Sequence, residues 1–141
     1  GDPVYEKLSA KLSYAMLSIP GCRGIEIGNG FEAASSTGSA NNDLPCIRDN
    51  RVGFRTNRSG GITGGITNGE KLYLRTAFKP TSTIGIHQET IDLEKKEKAI
   101  QKGFDHKRHD PCIAVRATAV VESMTAIVLA DAILKNKTAN L

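Results

Sequence analysis

Residues 105–112, Asp-His-Lys-Arg-His-Asp-Pro-Cys, lead into the longest apolar segment of the chain. Pro111 suits the first turn of a helix, because the N–H that proline lacks has no intrahelical partner there, and Asp110 before it is a good N-cap. We therefore predict a helix over Pro111–Asn136, more than about 30 Å long. Its apolar residues fall on nearly every face, so we expect it to be covered on several sides, as a layer between sheets or at a subunit contact.

The start of this helix is suited to an anion. Lys107, Arg108 and His109 would add positive charge to the free N–H groups and the positive end of the helix dipole. Phosphate is the natural ligand for such a site. The alternative is a well-capped helix whose charged side chains are simply solvated, and the local sequence alone favours that alternative.

Upstream of this segment the pattern predicts a second helix and several strands. Residues 3–18 place apolar side chains at helical spacing, with Asp2 as cap and Pro3 in the first position. Gly-rich or alternating patterns predict strands over 22–31, 52–56 and 71–79. We therefore predict an α+β fold in which an antiparallel sheet packs on long helices.

The segments between these elements are polar. Asn68-Gly69 is a hairpin turn signal before the strand at 71–79. Residues 33–51 and 80–86 are predicted as loops, and the first is long enough to suggest function or mobility. The charged run 90–102 predicts a solvated edge strand or a short helix, and a ligand site is not expected there.

Composition is that of one globular domain. The 141 residues carry a net charge of +4, which fits an anionic ligand. Four Phe, three Tyr and no Trp are too few rings for a typical single-strand nucleic-acid binder. Three widely spaced cysteines suggest a reducing cytosol, with neither a disulfide framework nor a zinc ribbon. Because Arg116, Glu122 and Asp131 interrupt residues 113–134, we interpret that segment as a buried helix of a soluble protein and not as a membrane span.

Some motifs suggest chemistry only weakly when each is taken alone. The double glycines at 60–61 and 64–65 would let a ligand approach the backbone, or they could form a bulged turn. Lys79-Pro80-Thr81-Ser82-Thr83 could hold a phosphate or the edge of a heterocycle, or could be a hydrogen-bonded turn. A metal site from His106, His109, Asp110 and Cys112 is disfavoured by the neighbouring cations, and nothing marks Cys112 as a nucleophile.

Motif segments nevertheless occur in order along the whole chain. They are Gly1-Asp2-Pro3-Val4, Ser18-Ile19-Pro20, Gly24-Ile25-Glu26-Ile27-Gly28, Thr56-Asn57-Arg58-Ser59-Gly60-Gly61-Ile62 with Gly64-Gly65-Ile66, Lys79-Pro80-Thr81, Arg108-His109-Asp110-Pro111-Cys112, Arg116-Ala117 and Glu122-Ser123-Met124. Together they resemble the C-terminal part of the chorismate synthase family. The segments at 79–81 and 108–112 are highly specific in combination.

The resemblance implies a lyase of the shikimate pathway, which leads to the aromatic amino acids. Such an enzyme removes phosphate and a hydrogen from 5-enolpyruvylshikimate 3-phosphate in a 1,4-anti elimination that gives chorismate. The reaction has no net redox change yet requires reduced FMN. The family is associated with NADP, and the source of the reduced flavin is left open. A non-catalytic module that binds an anion or phosphate remains the alternative, since the basic charge and the helix start would suffice for it.

The resemblance also assigns roles to individual residues. Asp110 matches an aspartate that lies near flavin N5 and helps to move its proton, so it is the implied catalytic residue. Arg108 would contact both the flavin and the substrate phosphate. The other implied flavin contacts are Pro20 and Gly21 (where the family often has Ala in place of Gly21), Gly64, and the segment Lys79, Pro80, Thr81, Ser82 and Thr83.

The family's subunit is considerably longer than this chain. Residues 1–141 would be its C-terminal portion, one half of a pseudo-symmetric sandwich of antiparallel sheets and helices, and the start at Gly1 also suggests a fragment. The family's catalytic histidines and arginine-rich substrate cradle belong to the missing N-terminal half, and His87, His106 and His109 do not replace them. We therefore expect the chain alone to be inactive or nearly so. The full-length protein is expected to be a cytoplasmic homotetramer, with no nucleic-acid or membrane partner.

Overall fold

The computed structural model describes residues 4–103 and 112–139. Within these ranges the chain is α+β, as predicted, and all its strand pairs are antiparallel. The strands form four separate two-stranded ladders instead of one continuous sheet. The elements are α1 (Leu8–Leu17), β1 (Cys22–Ile27), a 3-10 helix (Gly30–Ser35), α2 (Gly38–Asn41), β2 (Pro45–Arg48), β3 (Arg51–Phe54), β4 (Ile62–Thr63), β5 (Ile66–Thr67), β6 (Leu74–Phe78), β7 (Gln88–Asp92), β8 (Glu97–Gln101) and α3 (Ala114–Ala139).

Helix α1 supplies most of the core. Leu12 and Met16 are fully buried, four residues apart and therefore on one face. The core cluster around Met16 consists of buried Ala15, Ile19 and Cys22, with the half-buried residues Ile25, Phe78, Val121, Met124 and Val128 packed against it. The predicted apolar face of this helix is thus confirmed from Leu8 to Met16.

The predicted start of α1 is wrong. The helix begins at Leu8, after Lys7 as the capping residue, and Asp2 and Pro3 lie outside the described residues. Val4 has a positive φ of 60° and is 70% exposed, so it does not belong to the helix face. The amide of Leu8 donates to the carbonyl of Gly65 at 2.9 Å, which replaces the side-chain cap that the sequence suggested.

Strands β1 and β6 form the central ladder. Cys22 pairs with Phe78 at one end and Ile27 with Leu74 at the other, with a bulge between Cys22 and Gly24. Both strands are shorter than predicted. Gly28, with φ of 60°, turns the chain out of β1, and its amide donates to the carbonyl of Tyr73 at 2.9 Å.

Two predicted connections contain regular structure. The expected loop over 33–51 includes helix α2 and strand β2, which pairs with β3 around Asp49-Asn50. Both turn residues have positive φ, of 50° and 59°, as a two-residue hairpin turn of the primed type requires. The charged run near 90–102 forms the β7–β8 hairpin, whose residues are mostly exposed. The edge-strand alternative is therefore confirmed for this run.

Helix α3 packs against α1 but is otherwise largely uncovered. It begins at Ala114, and the carbonyl of Ile113 accepts from the amide of Ala117 at 3.0 Å, so Ile113 occupies the capping position. The predicted cap Asp110 and first-turn Pro111 lie outside the described residues. Ala117 is the only described α3 residue that is buried, so the described part of this chain does not supply the expected cover, and cover at a subunit contact stays a prediction.

Helix α3 is long and apolar enough to cross a membrane, by length and composition alone. Among its charged residues, Asp131 pairs with Lys11 of α1 at 3.7 Å and with Lys135 of α3 itself at 3.2 Å.

Candidate functional site

Three segments singled out in the sequence meet at one end of α1. The chain leaves α1 through Pro20 and Gly21, and the carbonyl of Gly21 accepts a hydrogen bond from the amide of Lys79 at 2.9 Å. This bond continues the β1–β6 ladder by one step beyond Cys22 and Phe78. The predicted flavin contacts Gly21 and Lys79 are therefore neighbours.

The start of α3 reaches the same place. The side chain of Ile113 lies 3.7 Å from the position that a Cβ at Gly21 would occupy, and that of Phe78 lies 3.9 Å from it. Gly21 has a φ of +84°, a conformation that L residues rarely adopt. An alanine would fit the space there but would strain the backbone. Cys112, directly before Ile113, is exposed.

The segment 79–83 leaves strand β6 toward solvent. Lys79 and Pro80 are exposed, Thr81 is half-buried, and Ser82 and Thr83 are exposed. No side-chain hydrogen bond within the described residues engages the two threonine hydroxyls or the serine hydroxyl. An ammonium group and three hydroxyl groups at a strand end are thus available to a polar or anionic ligand.

Gly64 lies at the opposite end of α1. With Gly65 it forms the turn of the β4–β5 hairpin, where φ is 64° at Gly64 and 90° at Gly65. The hairpin is anchored by the bond from Leu8, the first residue of α1, to Gly65. Since α1 has ten residues and is therefore about 15 Å long, the described structure does not bring Gly64 into contact with Gly21 and Lys79.

The prediction of a hairpin turn at Asn68-Gly69 is therefore wrong. The hairpin turn is Gly64-Gly65, and Asn68 supports it from outside. Its side-chain amide donates to the hydroxyl of Thr63 at 3.0 Å, and its side-chain oxygen accepts from the amide of Glu70 at 3.0 Å.

The two double glycines have different roles. A Cβ at Gly60 would lie 2.3 Å from the amide nitrogen of Gly28, and one at Gly61 would lie 2.6 Å from the carbonyl oxygen of Lys71. These glycines are needed because other backbone passes directly over them. A Cβ at Gly64 would meet nothing within 4 Å, so of these three only Gly64 leaves its backbone open to a ligand.

Sequence reasoning missed Asp43, which organises the glycine-rich segment. One carboxylate oxygen accepts from the hydroxyl of Thr56 at 2.6 Å and from the amide of Arg58 at 2.8 Å. The other oxygen accepts from the amide of Ser59 at 2.8 Å. Partial burial by itself would raise the pKa of Asp43, but these hydrogen bonds outweigh it and lower the pKa from 3.8 to about 2.

Asn57 completes the support of this segment. Its side-chain oxygen accepts from the amide of Gly61 at 2.7 Å, and its side-chain amide donates to the carbonyl of Lys71 at 2.8 Å. Asp43 and Asn57 therefore bind the backbone on both sides of Gly60. The Asn-Asn-Asp run would have indicated bonds to backbone amides close in sequence, whereas the amides that Asp43 accepts from are 15 and 16 residues away.

Arg108 and Asp110, the implied substrate contact and catalytic residue, lie outside the described residues, as do His106 and His109. In the described part of the chain, no group of three His, Cys, Asp or Glu side chains is arranged to hold a metal ion. Among those residues the candidate site consists of Pro20, Gly21 and segment 79–83 at one end of α1, with Gly64 at the other.

Comparison with known proteins covers nearly the whole chain. The model of a protein family described as Chorismate synthase matches residues 1–134. A relative from Archaeoglobus fulgidus named chorismate synthase is 54% identical over 136 residues, which is 95% of this chain and 37% of the relative. A protein of the same name from Protochlamydia amoebophila is 49% identical over 137 residues, covering 97% of this chain and 37% of that protein.

A solved structure shares the fold. The chain superposes on a structure titled "Crystal Structure of Chorismate Synthase" with a TM-score of 0.70 and 32% sequence identity. The match covers 92% of this chain and 31% of the other. The chain thus spans little more than a third of the length of the curated relatives it matches.

Proposed function

Because the chain belongs to the chorismate synthase family, we propose that it forms part of a lyase that converts 5-enolpyruvylshikimate 3-phosphate to chorismate and phosphate. The match to this family over residues 1–134 is the observation that carries the proposal. The contact between Gly21 and Lys79, with the start of α3 beside them, supports it. These three segments, distant in sequence, are the ones that the family's motifs single out.

The donor set at this end of α1 fits a flavin. Lys79 offers a positive charge, Thr81, Ser82 and Thr83 offer hydroxyl groups, and the exposed Pro20 and half-buried Gly21 lie beside Lys79. Reduced FMN, when bound, would supply the electron-rich partner that the 1,4-anti elimination requires. The backbone of Gly64, open on its outer side, would accept a further contact with the cofactor.

Arg108 and Asp110 complete the proposed chemistry. The guanidinium of Arg108 would pair with phosphate oxygens of the substrate, since arginine binds them in a bidentate manner. The carboxylate of Asp110 would hold and release a proton beside the cofactor. Both residues lie close in sequence to Ile113, whose side chain packs near Gly21.

The activity is proposed for the longer protein and not for these 141 residues alone. The family's catalytic histidines are expected in the part of its length that this chain does not span. We further propose that the complete protein assembles as a cytoplasmic homotetramer. If it reduces its own flavin, NADPH would supply the electrons. The broad apolar face of α3 supports association with further protein.

Flavin binding is the test. We expect the 141-residue chain to quench FMN fluorescence on titration, more strongly when 5-enolpyruvylshikimate 3-phosphate is present. Replacing the exposed lysine in Lys79→Met should weaken FMN binding about tenfold, the loss of one charge-assisted contact. Lys95→Met, at an exposed lysine in the β7–β8 turn, is the matched control and should bind FMN normally.

The outcomes separate the two candidate functions. Phosphate binding without any flavin binding would favour the non-catalytic anion-binding module. Turnover of substrate by the isolated chain with reduced FMN would contradict the expectation that the rest of the family's length is needed. Restoration of turnover on adding the remaining segment of a family member would support it.

A further inference from the structure

We infer that Asp43 is a positioning residue for the Gly64-Gly65 turn, which it holds from outside the proposed flavin site. The inference rests on the proposed function in one respect, the role of Gly64 as a cofactor contact. The contacts of Asp43 itself are independent of that role.

The β2–β3 hairpin places Asp43 at its position. Pro45 pairs with Phe54, and the amide of Arg55 donates to the carbonyl of Leu44 at 2.9 Å. The next step along this ladder sets Asp43 opposite Thr56, and their side chains meet at 2.6 Å. The β2–β3 hairpin, whose turn lies at Asp49-Asn50, therefore positions Asp43 beside the start of the glycine-rich segment.

From Asp43 a short series of hydrogen bonds reaches the β4–β5 hairpin. Ser59 donates its amide to Asp43 at 2.8 Å and accepts from the amide of Ile62, the first residue of β4, at 3.4 Å. The carbonyl of Gly61 accepts from the amide of Asn68, just after β5, at 3.1 Å. Both strands of the hairpin are thus bound at their base to the segment that Asp43 fixes.

The strands of this hairpin are short, since β4 and β5 have two residues each. Beyond its base, the turn is held by the bond from Leu8 to Gly65, by the bond from the Asn68 side chain to Thr63, and by the Lys7 side chain beside Gly65. A two-stranded hairpin this short is not stable by itself, so its orientation depends on the segment beneath it.

The first experiment measures the turn without flavin. Amide hydrogen exchange of the full 141-residue chain should show faster exchange at Arg58, Ser59, Ile62 and Asn68 in Asp43→Asn, by about tenfold or more, because an amide side chain cannot accept all three bonds. Asp92→Asn is the matched control, since Asp92 accepts two backbone amides in the β7–β8 turn. It should leave those four amides unchanged, and unchanged exchange in Asp43→Asn would overturn the inference.

The second experiment links the turn to the cofactor. FMN affinity should fall about tenfold in Asp43→Asn and in Gly64→Ala, and the double variant should lose little more than either alone, since both act on one turn. Leu12→Ala, which removes a fully buried side chain from the middle of α1, should lower Tm without changing FMN affinity at a temperature where the protein is folded. Additive losses in the double variant, or an equal loss of affinity in Leu12→Ala, would show that Asp43 acts only through stability.

The two experiments also separate the inference from the proposed function. If amide exchange is faster in Asp43→Asn but the unaltered chain does not bind FMN, the role of Gly64 as a flavin contact is contradicted. The link between Asp43 and the cofactor is then contradicted as well. Unaltered exchange with normal FMN binding would overturn the role of Asp43 and leave the proposed function in place.

Discussion

Asp43 contributes to the stability of the fold only while it is ionised. Its pKa is about 2 in the folded chain against 3.8 for an unperturbed side chain. A carboxyl group whose pKa is lowered on folding stabilises the native state fully above its unfolded pKa, and that contribution disappears as the pH falls through the folded pKa. The relevant window therefore runs from just above pH 3.8 down to about pH 2.

The corresponding prediction concerns acid unfolding. Asp43→Asn should lower the free energy of unfolding by about 1–2 kcal/mol near pH 6, the lower part of the range for hydrogen bonds to a charged group, because Asp43 is partly exposed to solvent. The difference in the free energy of unfolding between the variant and the unaltered chain should narrow below pH 3.8 and vanish near pH 2. Urea unfolding at a series of pH values measures it, with the exposed Asp49→Asn as control. A difference that does not depend on pH would contradict the assignment.

The two kinds of glycine lead to a second prediction. Gly60→Ala would force a methyl group against the backbone of Gly28 and Tyr73, so we expect a loss of roughly 3 kcal/mol or more, or failure to fold. Gly64→Ala has open space around it and should cost only about 1 kcal/mol, from its left-handed backbone. Thermal unfolding compares the two, and equal losses would contradict the structural role assigned to Gly60.

At the scale of single residues, the sequence indicated which residues form contacts better than it indicated the partners of those residues. Lys79 and Gly21 were named as parts of one site, and the structure brings them together. Asp43 was missed because its partners are backbone amides 15 and 16 residues away, and no local pattern marks them. Asn68-Gly69 carried the right residues for a hairpin turn, but the hydrogen bonds of Asn68 support a different turn.

Among the elements, α1 gives the clearest prediction. Met16 is fully buried, while Tyr14, on the same helix, is 81% exposed. Met16→Ala should lower the free energy of unfolding by about 2–5 kcal/mol, as other large-to-small core substitutions do. Tyr14→Ala should change it by less than about 0.5 kcal/mol. Denaturant unfolding distinguishes them, and similar losses at both positions would show that α1 is not packed as described.

Element boundaries were less predictable than element types. Both long helices were expected from their apolar spacing, and both begin later than the sequence suggested. In each case the expected start relied on an Asp-Pro pair that lies outside the described residues. At the start of α1 the amide of Leu8 is bound by the carbonyl of Gly65, a tertiary contact that local sequence does not reveal.

For the molecule as a whole, the exposed side of α3 is the main feature. Val120, Ile127 and Leu134 are seven residues apart and therefore form one stripe, with exposures of 45%, 62% and 62%. An apolar stripe of this length on a small chain favours association. The α+β class was predictable from spacing, and the exposed apolar surface of α3 was expected from the resemblance to a longer protein.

We therefore predict that the 141-residue chain self-associates. The apparent mass from light scattering should rise with concentration, and Ile127→Lys should reduce the association without lowering helix content. Val115→Lys is the control, since Val115 is 74% exposed but lies about 140° around the helix from Val120. A monomer at every concentration, or equal effects of the two variants, would contradict association through this stripe.

Helix α1 also sets a fixed spacing within the molecule. Its first residue holds the Gly64-Gly65 hairpin, and its last turn leads into Gly21 and the segment around Lys79. One residue inserted in α1 before Met16 would lengthen the helix by about 1.5 Å and rotate the residues after it by about 100°. Met16 would then turn away from the core. We therefore expect changes of chain length to be better tolerated in the exposed β7–β8 turn, whereas within α1 they would alter the core and the distance between the two parts of the site together.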